Sequence, residues 1–135
     1  MKAVLIALML ANTGFATDAQ FEAISLTNSF YEQLATFSFV SAQNTPVVSV
    51  GFGEVPNTND VGICKVETNG TREVILSKRR WDTLSKAEKE ITVFHELGHC
   101  ALDKSHSSEG IMSAEMMDAD TYTRNKAAFL TLFFN

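Results

Sequence analysis

Proline and cysteine are scarce in this chain of 135 residues, which has two of each, beside one tryptophan and three histidines. So little proline, together with 45 % apolar residues and ten Phe, excludes a disordered or collagen-like chain. Basic residues are also few: 11 Lys and Arg face 16 Asp and Glu, for a formal charge of −5. With no basic stripe, that balance argues against nucleic acid as a partner. The lone basic cluster, Lys78-Arg79-Arg80, reads as the solvated end of a strand. No internal repeat or low-complexity tract is visible, and the length suits one domain with a single core.

The one long apolar run lies at the start. Met1-Lys2, then AVLIALMLA over residues 3–11, then the small residues Gly14 and Ala16, follow the layout of a secretory signal peptide. Nine apolar residues are too few to span a bilayer. The expectation is a signal peptide over residues 1–16, cleaved after Ala16 with Ala19 as the alternative, and a single domain over residues 17–135. Such a protein is exported, periplasmic or extracellular, with no stable membrane insertion after cleavage. In an oxidising compartment the two cysteines, Cys64 and Cys100, are expected to pair.

Periodicity outlines the rest. Phe21, Ile24, Tyr31 and Leu34 recur at helical spacing from Asp18 to about Phe37, and SAQNTP (41–46) breaks that pattern with turn formers. Val48, Val50 and Phe52 alternate within residues 47–55, which predicts a strand. VGICKVET and TREVILS flank Asn69-Gly70, the pattern of a hairpin closed by a type I′ turn. Ser85 and Glu88 form a capping box before a helix predicted over Lys86 to Leu102. DKSHSSEG reads as a polar loop and IMSAEMM as an irregular stretch. Asp120 is placed to cap a last helix lined by Tyr122, Lys126, Phe129, Leu130 and Phe133. The fold class is α+β, a small sheet with the long helix packed against it.

All three histidines fall in FHELGHCALDKSH, residues 94–106. Each helical residue advances about 100°, so His95 and His99 share a face and can bind one ion. Glu96 is offset enough to miss the metal and reach a water on it, as a general base would. Zinc in catalytic sites keeps an open position and lowers the pKa of such a water to about 7. Gly98 inside the helix costs about 1 kcal/mol relative to alanine, so close approach of another backbone segment is expected there. Cys100 lies about 140° round the helix from His95, facing the sheet rather than the metal. A Cys64–Cys100 disulfide would close a loop of 36 residues and contribute about 2–4 kcal/mol.

HELGHCALDKSH followed by GIMS resembles the metzincin zinc metallopeptidases. The stretch from GICKV through WDTLSKAEKEITVFHELGHCAL to IMS is similar to small exported bacterial proteins of that metallopeptidase type, roughly over residues 61–113. The resemblance implies a metzincin-like domain with Zn²⁺ held by His95, His99 and His106. It makes Glu96 the general base and Met112 the methionine of a turn beneath the metal. Two departures stand out. Leu102 occupies the place of the family's glycine, and six residues rather than five separate His99 from His106. The loop must therefore turn differently. Asp103, and Glu109 or Glu115, compete with His106 for the third position. Imidazole suits zinc, and the seven-residue advance leaves room to end the helix and return, so His106 is the expected ligand. Asp103 is then expected to cap the turn or orient an imidazole N–H.

The function expected is hydrolysis of a polypeptide substrate by a secreted zinc metallopeptidase. The alternatives are a zinc-dependent cell-wall amide hydrolase and a non-catalytic secreted zinc-binding module.

Overall fold

The computed structural model describes residues 17–135, and the signal peptide expected over residues 1–16 lies outside them. Thr17 and Gln20 form a reciprocal cap that starts α1 (Asp18–Phe37). The buried face of α1 is Ala19, Ala23, Thr27, Phe30, Tyr31 and Leu34. Phe21 is not on it and is 56 % exposed. Two residues beyond Ala19, it points about 200° away round the helix. Ser38 then turns extended, and its hydroxyl accepts from the Ser41 N–H to start α2 (Phe39–Asn44). SAQN of the expected break thus belongs to a second helix, and the turn formers end it only at Thr45-Pro46. The serine cap outweighs the turn-forming composition until Thr45.

Three strands follow: β1 (Ser49–Phe52), β2 (Gly62–Val66) and β3 (Arg72–Leu76), in the order β1-β3-β2. β1 runs parallel to β3, and β2 antiparallel to it. β1 is shorter than predicted but keeps its alternation, with Val48 buried just before it and Val50 and Phe52 half-buried. The hairpin is present with a different turn. Gly70 is at φ 86° and Asn69 is not at positive φ, which rules out the two-residue type I′ form. The Glu67 carbonyl accepts from Gly70 N–H at 2.9 Å, and the Glu67 N–H donates to the Thr71 carbonyl at 2.8 Å, closing a three-residue loop.

Lys78-Arg79-Arg80 does not end a strand. Ser77 caps a single turn, α3 (Lys78–Trp81), which seats Trp81 in the core at 0 % exposure. The Ser85–Glu88 box closes reciprocally at 3.2 and 2.7 Å and starts α4 (Lys86–Leu102), as expected. At the C-terminal end Asp118, not Asp120, is the cap. Its carboxylate accepts from both the N–H and the hydroxyl of Thr121 at 2.8 Å. The expected last helix is two, α5 (Ala119–Arg124) and α6 (Lys126–Phe134), separated at Asn125.

The buried side of α4 carries Val93, Phe94 and Leu97, each at 0 % exposure. Phe94 meets Phe30 of α1 and Phe133 and Phe134 of α6 in one aromatic cluster. On the other flank α4 packs along β2, one of the two edge strands of the sheet. The architecture is α+β, and the groove between α4 and β2 is where the histidines lie.

Candidate metal centre

α4 presents His95 and His99 one turn apart, and the loop after it returns His106 to them. The Nε2 atoms of His95 and His99 are 3.1 Å apart, as are those of His99 and His106. One ligand atom from each of the three rings lies within 4.8 Å of the others, so the cluster could hold a metal ion. The opposite ring nitrogens are engaged. His95 Nδ1 is 2.7 Å from the Ile111 carbonyl, and His99 Nδ1 is 2.7 Å from the Lys104 carbonyl. A carbonyl only accepts, so both Nδ1 atoms carry a proton, and the lone pair of the neutral form of each ring points inward at Nε2. Lone pairs so placed repel unless a cation or a proton lies between them.

The spacing fits a small cation. Imidazole nitrogens bound tetrahedrally at the usual zinc distance would sit about 3.3 Å from one another, close to the 3.1 Å found here. Burial, reinforced by the two neighbouring imidazoles, holds His95 below its usual pKa despite the hydrogen bond to Ile111. The ring is thereby kept in the neutral form that ligates. Among the described residues the cluster has three members. Asp103, Glu109 and Glu115 are not in it.

One loop, residues 103–113, does most of the positioning. The Gly98 carbonyl accepts from the backbone N–H groups of both Asp103 and Lys104, which fastens the chain reversal to α4 and brings the Lys104 carbonyl to His99. Asp103 is the described non-glycine residue with positive φ, at 53°. The left-handed position thus comes one residue after Leu102, at the C-cap of α4. Asp103 caps the turn as expected, but it orients no imidazole; the backbone carbonyls do that. Its carboxylate pairs with Arg72 of β3, which also donates to the Cys100 carbonyl at 3.2 Å. Further on, Ser107 N–H donates to the Met112 carbonyl at 2.9 Å and Ser113 N–H to the Gly110 carbonyl at 3.1 Å. These bonds hold the Ile111 carbonyl under His95.

Met112 is buried, and it explains Gly98. A Cβ at position 98 would lie 2.5 Å from Met112 Sδ and 3.0 Å from Phe133 Cε2. The close approach expected at this glycine is made by side chains rather than by a backbone segment. Cys100, on the sheet side of α4, is joined to Cys64 of β2 with the Cα atoms 5.4 Å apart, as expected. The bridge ties the helix that carries His95 and His99 to an edge strand.

Glu96 is 9 % exposed. It lines, with the three histidines, a cleft of about 890 Å³ bounded by β2. Burial, with a smaller contribution from the negative charge of Asp60, pushes its carboxyl up to about 7. Two contributors here escaped the sequence reading. Asp60 lies between the strand predicted over residues 47–55 and the hairpin, where no pattern marked it. Gly62 opens β2, and a Cβ there would meet Leu76 Cδ2 at 2.9 Å and Glu96 Cγ at 3.3 Å. The glycine itself was visible at the start of the hairpin, but its approach to Glu96 arises only from the packing of β2 on α4. The carbonyls of Lys104 and Ile111 left no signal, because every residue carries a carbonyl.

Among the described residues no helix is long and apolar enough to cross a membrane. Compared with known proteins, the chain matches no family model, no curated protein and no solved structure.

Proposed function

We propose that the protein is an exported zinc metallopeptidase in which His95, His99 and His106 hold the ion and Glu96 is the general base. The observation that carries this reading is the inward convergence of the Nε2 atoms, with two rings locked by the Ile111 and Lys104 carbonyls. A three-nitrogen set leaves a coordination position open, whereas structural zinc sites are usually closed by four protein ligands. That supports an enzyme over a non-catalytic zinc-binding module.

Zinc held by these three histidines would supply Lewis acidity toward a carbonyl oxygen and would lower the pKa of a water to about 7. Glu96 takes one proton from the attacking water as its oxygen bonds to the carbonyl carbon. The same carboxyl then gives that proton to the amide nitrogen as the C–N bond breaks, so that acid and amine leave with the atoms of water between them. The disulfide and the secretory layout support export.

A polypeptide is favoured over a cell-wall substrate by one feature. Gly62, Ile63, Cys64 and Val66 of β2 line the cleft, and β2 is an edge strand, whose free side suits pairing with an extended chain. Metal analysis of the mature protein, combined with digestion of a peptide library with and without chelator, tests the proposal. One zinc per chain and chelator-sensitive cleavage are expected. Cleavage of purified cell wall but not of casein or the library would move the reading to the amide hydrolase.

A further inference from the structure

Three cationic side chains line the cleft, and two are engaged. Arg72 pairs with Asp103, and Lys104 lies 5.5 Å from the centre of the Phe133 ring. Arg80 is the third. Among the described residues its guanidinium joins no ion pair, and its Nε is sealed from solvent with no hydrogen-bond partner. The acids in the same cleft are not its partners. Glu88 accepts from the Ser85 N–H in the cap of α4, Asp103 accepts from Arg72, and Asp60 and Glu96 make no ion pair with it.

The base of this side chain is firmly held. Arg80 N–H donates to Ser77 Oγ at 3.4 Å, its carbonyl accepts from the Thr83 hydroxyl at 2.7 Å, and the adjoining Trp81 is in the core. Val61, Leu84 and Ile91 supply apolar wall in the same cleft. An arginine on a capped turn beside apolar wall, lining the cleft with no acid of the described residues paired to it, has the chemistry to receive a planar anion through its terminal N–H groups. Guanidinium matches carboxylate in a two-bond fork.

We propose that Arg80 determines specificity by receiving a carboxylate of the substrate, so that the cleft selects acidic peptides. This rests on the peptidase reading above. The carboxylate has two sources, an Asp or Glu side chain or the free C-terminus of the peptide.

The test uses the mature zinc-loaded protein and matched fluorogenic peptides: C-terminally amidated ones with Glu or Gln at single positions around the scissile bond, and Gln peptides with a free C-terminus. Wild type is expected to prefer one acid-bearing form by about tenfold or more in kcat/KM. Arg80→Gln should erase that ratio, and Arg80→Lys, which keeps the charge without the fork, should reduce it. Preference for amidated Glu peptides assigns the side-chain carboxylate, and preference for the free C-terminus assigns the other source. Equal rates on acid and amide forms by wild type, or a ratio that survives in Arg80→Gln, overturn the proposal while leaving the peptidase reading intact. If no peptide is cleaved, the peptidase reading fails instead. Fluorescence anisotropy of the same peptides then decides for Arg80, an Arg80-dependent preference for the acid sustaining the site and no preference overturning it.

Discussion

The sulfur of Met112 occupies the space that a side chain at position 98 would require. This contact joins the loop that carries His106 to the helix that carries His95 and His99. Gly98→Ala gains about 1 kcal/mol of helix propensity but drives a methyl into Met112 and Phe133, an overpacking that costs about 1–3 kcal/mol. Net destabilisation is expected in denaturant unfolding. The cost should shrink when Met112→Ala is made in the same chain, and an additive pair would argue against the contact.

Removing the bridge with Cys64→Ala and Cys100→Ala together should cost about 2–4 kcal/mol of stability. Zinc should stay bound, because Cys100 faces the sheet and is bonded to Cys64. Thiol titration of the denatured wild type should find no free cysteine. Loss of zinc from the double variant under conditions where it remains folded would point to a thiolate ligand instead.

The metal-free protein should lose stability as pH rises from about 4.5 to about 7 on account of Glu96, whose folded-state carboxyl is pushed up to about 7 by burial. The folded state keeps a proton that the unfolded chain has already released, so stability is full below the unfolded value and falls through the folded one. The loss is on the order of 3 kcal/mol. His95, held low by burial, works in the opposite sense. The difference between wild type and Glu96→Gln therefore isolates the carboxyl. Chelated protein unfolded in denaturant at several pH values should show Glu96→Gln gaining on wild type as pH rises. A constant difference would contradict the burial argument.

His106→Ala should weaken zinc binding by orders of magnitude, and Glu115→Ala should leave it unchanged. Asp103→Ala should retain the ion and lose stability, because Asp103 pairs with Arg72 across to β3. Zinc affinities of the three variants check this. Loss of the metal in Asp103→Ala alone would make Asp103 the ligand.

Much of the site was legible because its signals are local. The His95–Glu96–His99 spacing, the Ser85–Glu88 cap and the period-two run at Val48, Val50 and Phe52 each declare an element within a few residues. Where two local signals competed, the reading failed: Ser38 started a helix that runs on to Asn44, and Asp118 rather than Asp120 capped α5. Contacts between distant segments were the other gap. The exposure of Phe21 follows from Ala19 and Ala23 being the residues that face the core. The Gly62–Glu96 approach, and the carbonyls that orient His95 and His99, exist only once β2 and the loop are folded against α4.

The central claim, that Glu96 performs proton transfer at a three-histidine zinc centre, is tested most directly by one measurement: the peptide hydrolysis rate of Glu96→Gln at full zinc occupancy. The variant should hold one zinc per chain and hydrolyse at least about a hundredfold more slowly than wild type. A zinc-loaded Glu96→Gln that hydrolyses at the wild-type rate would contradict the account.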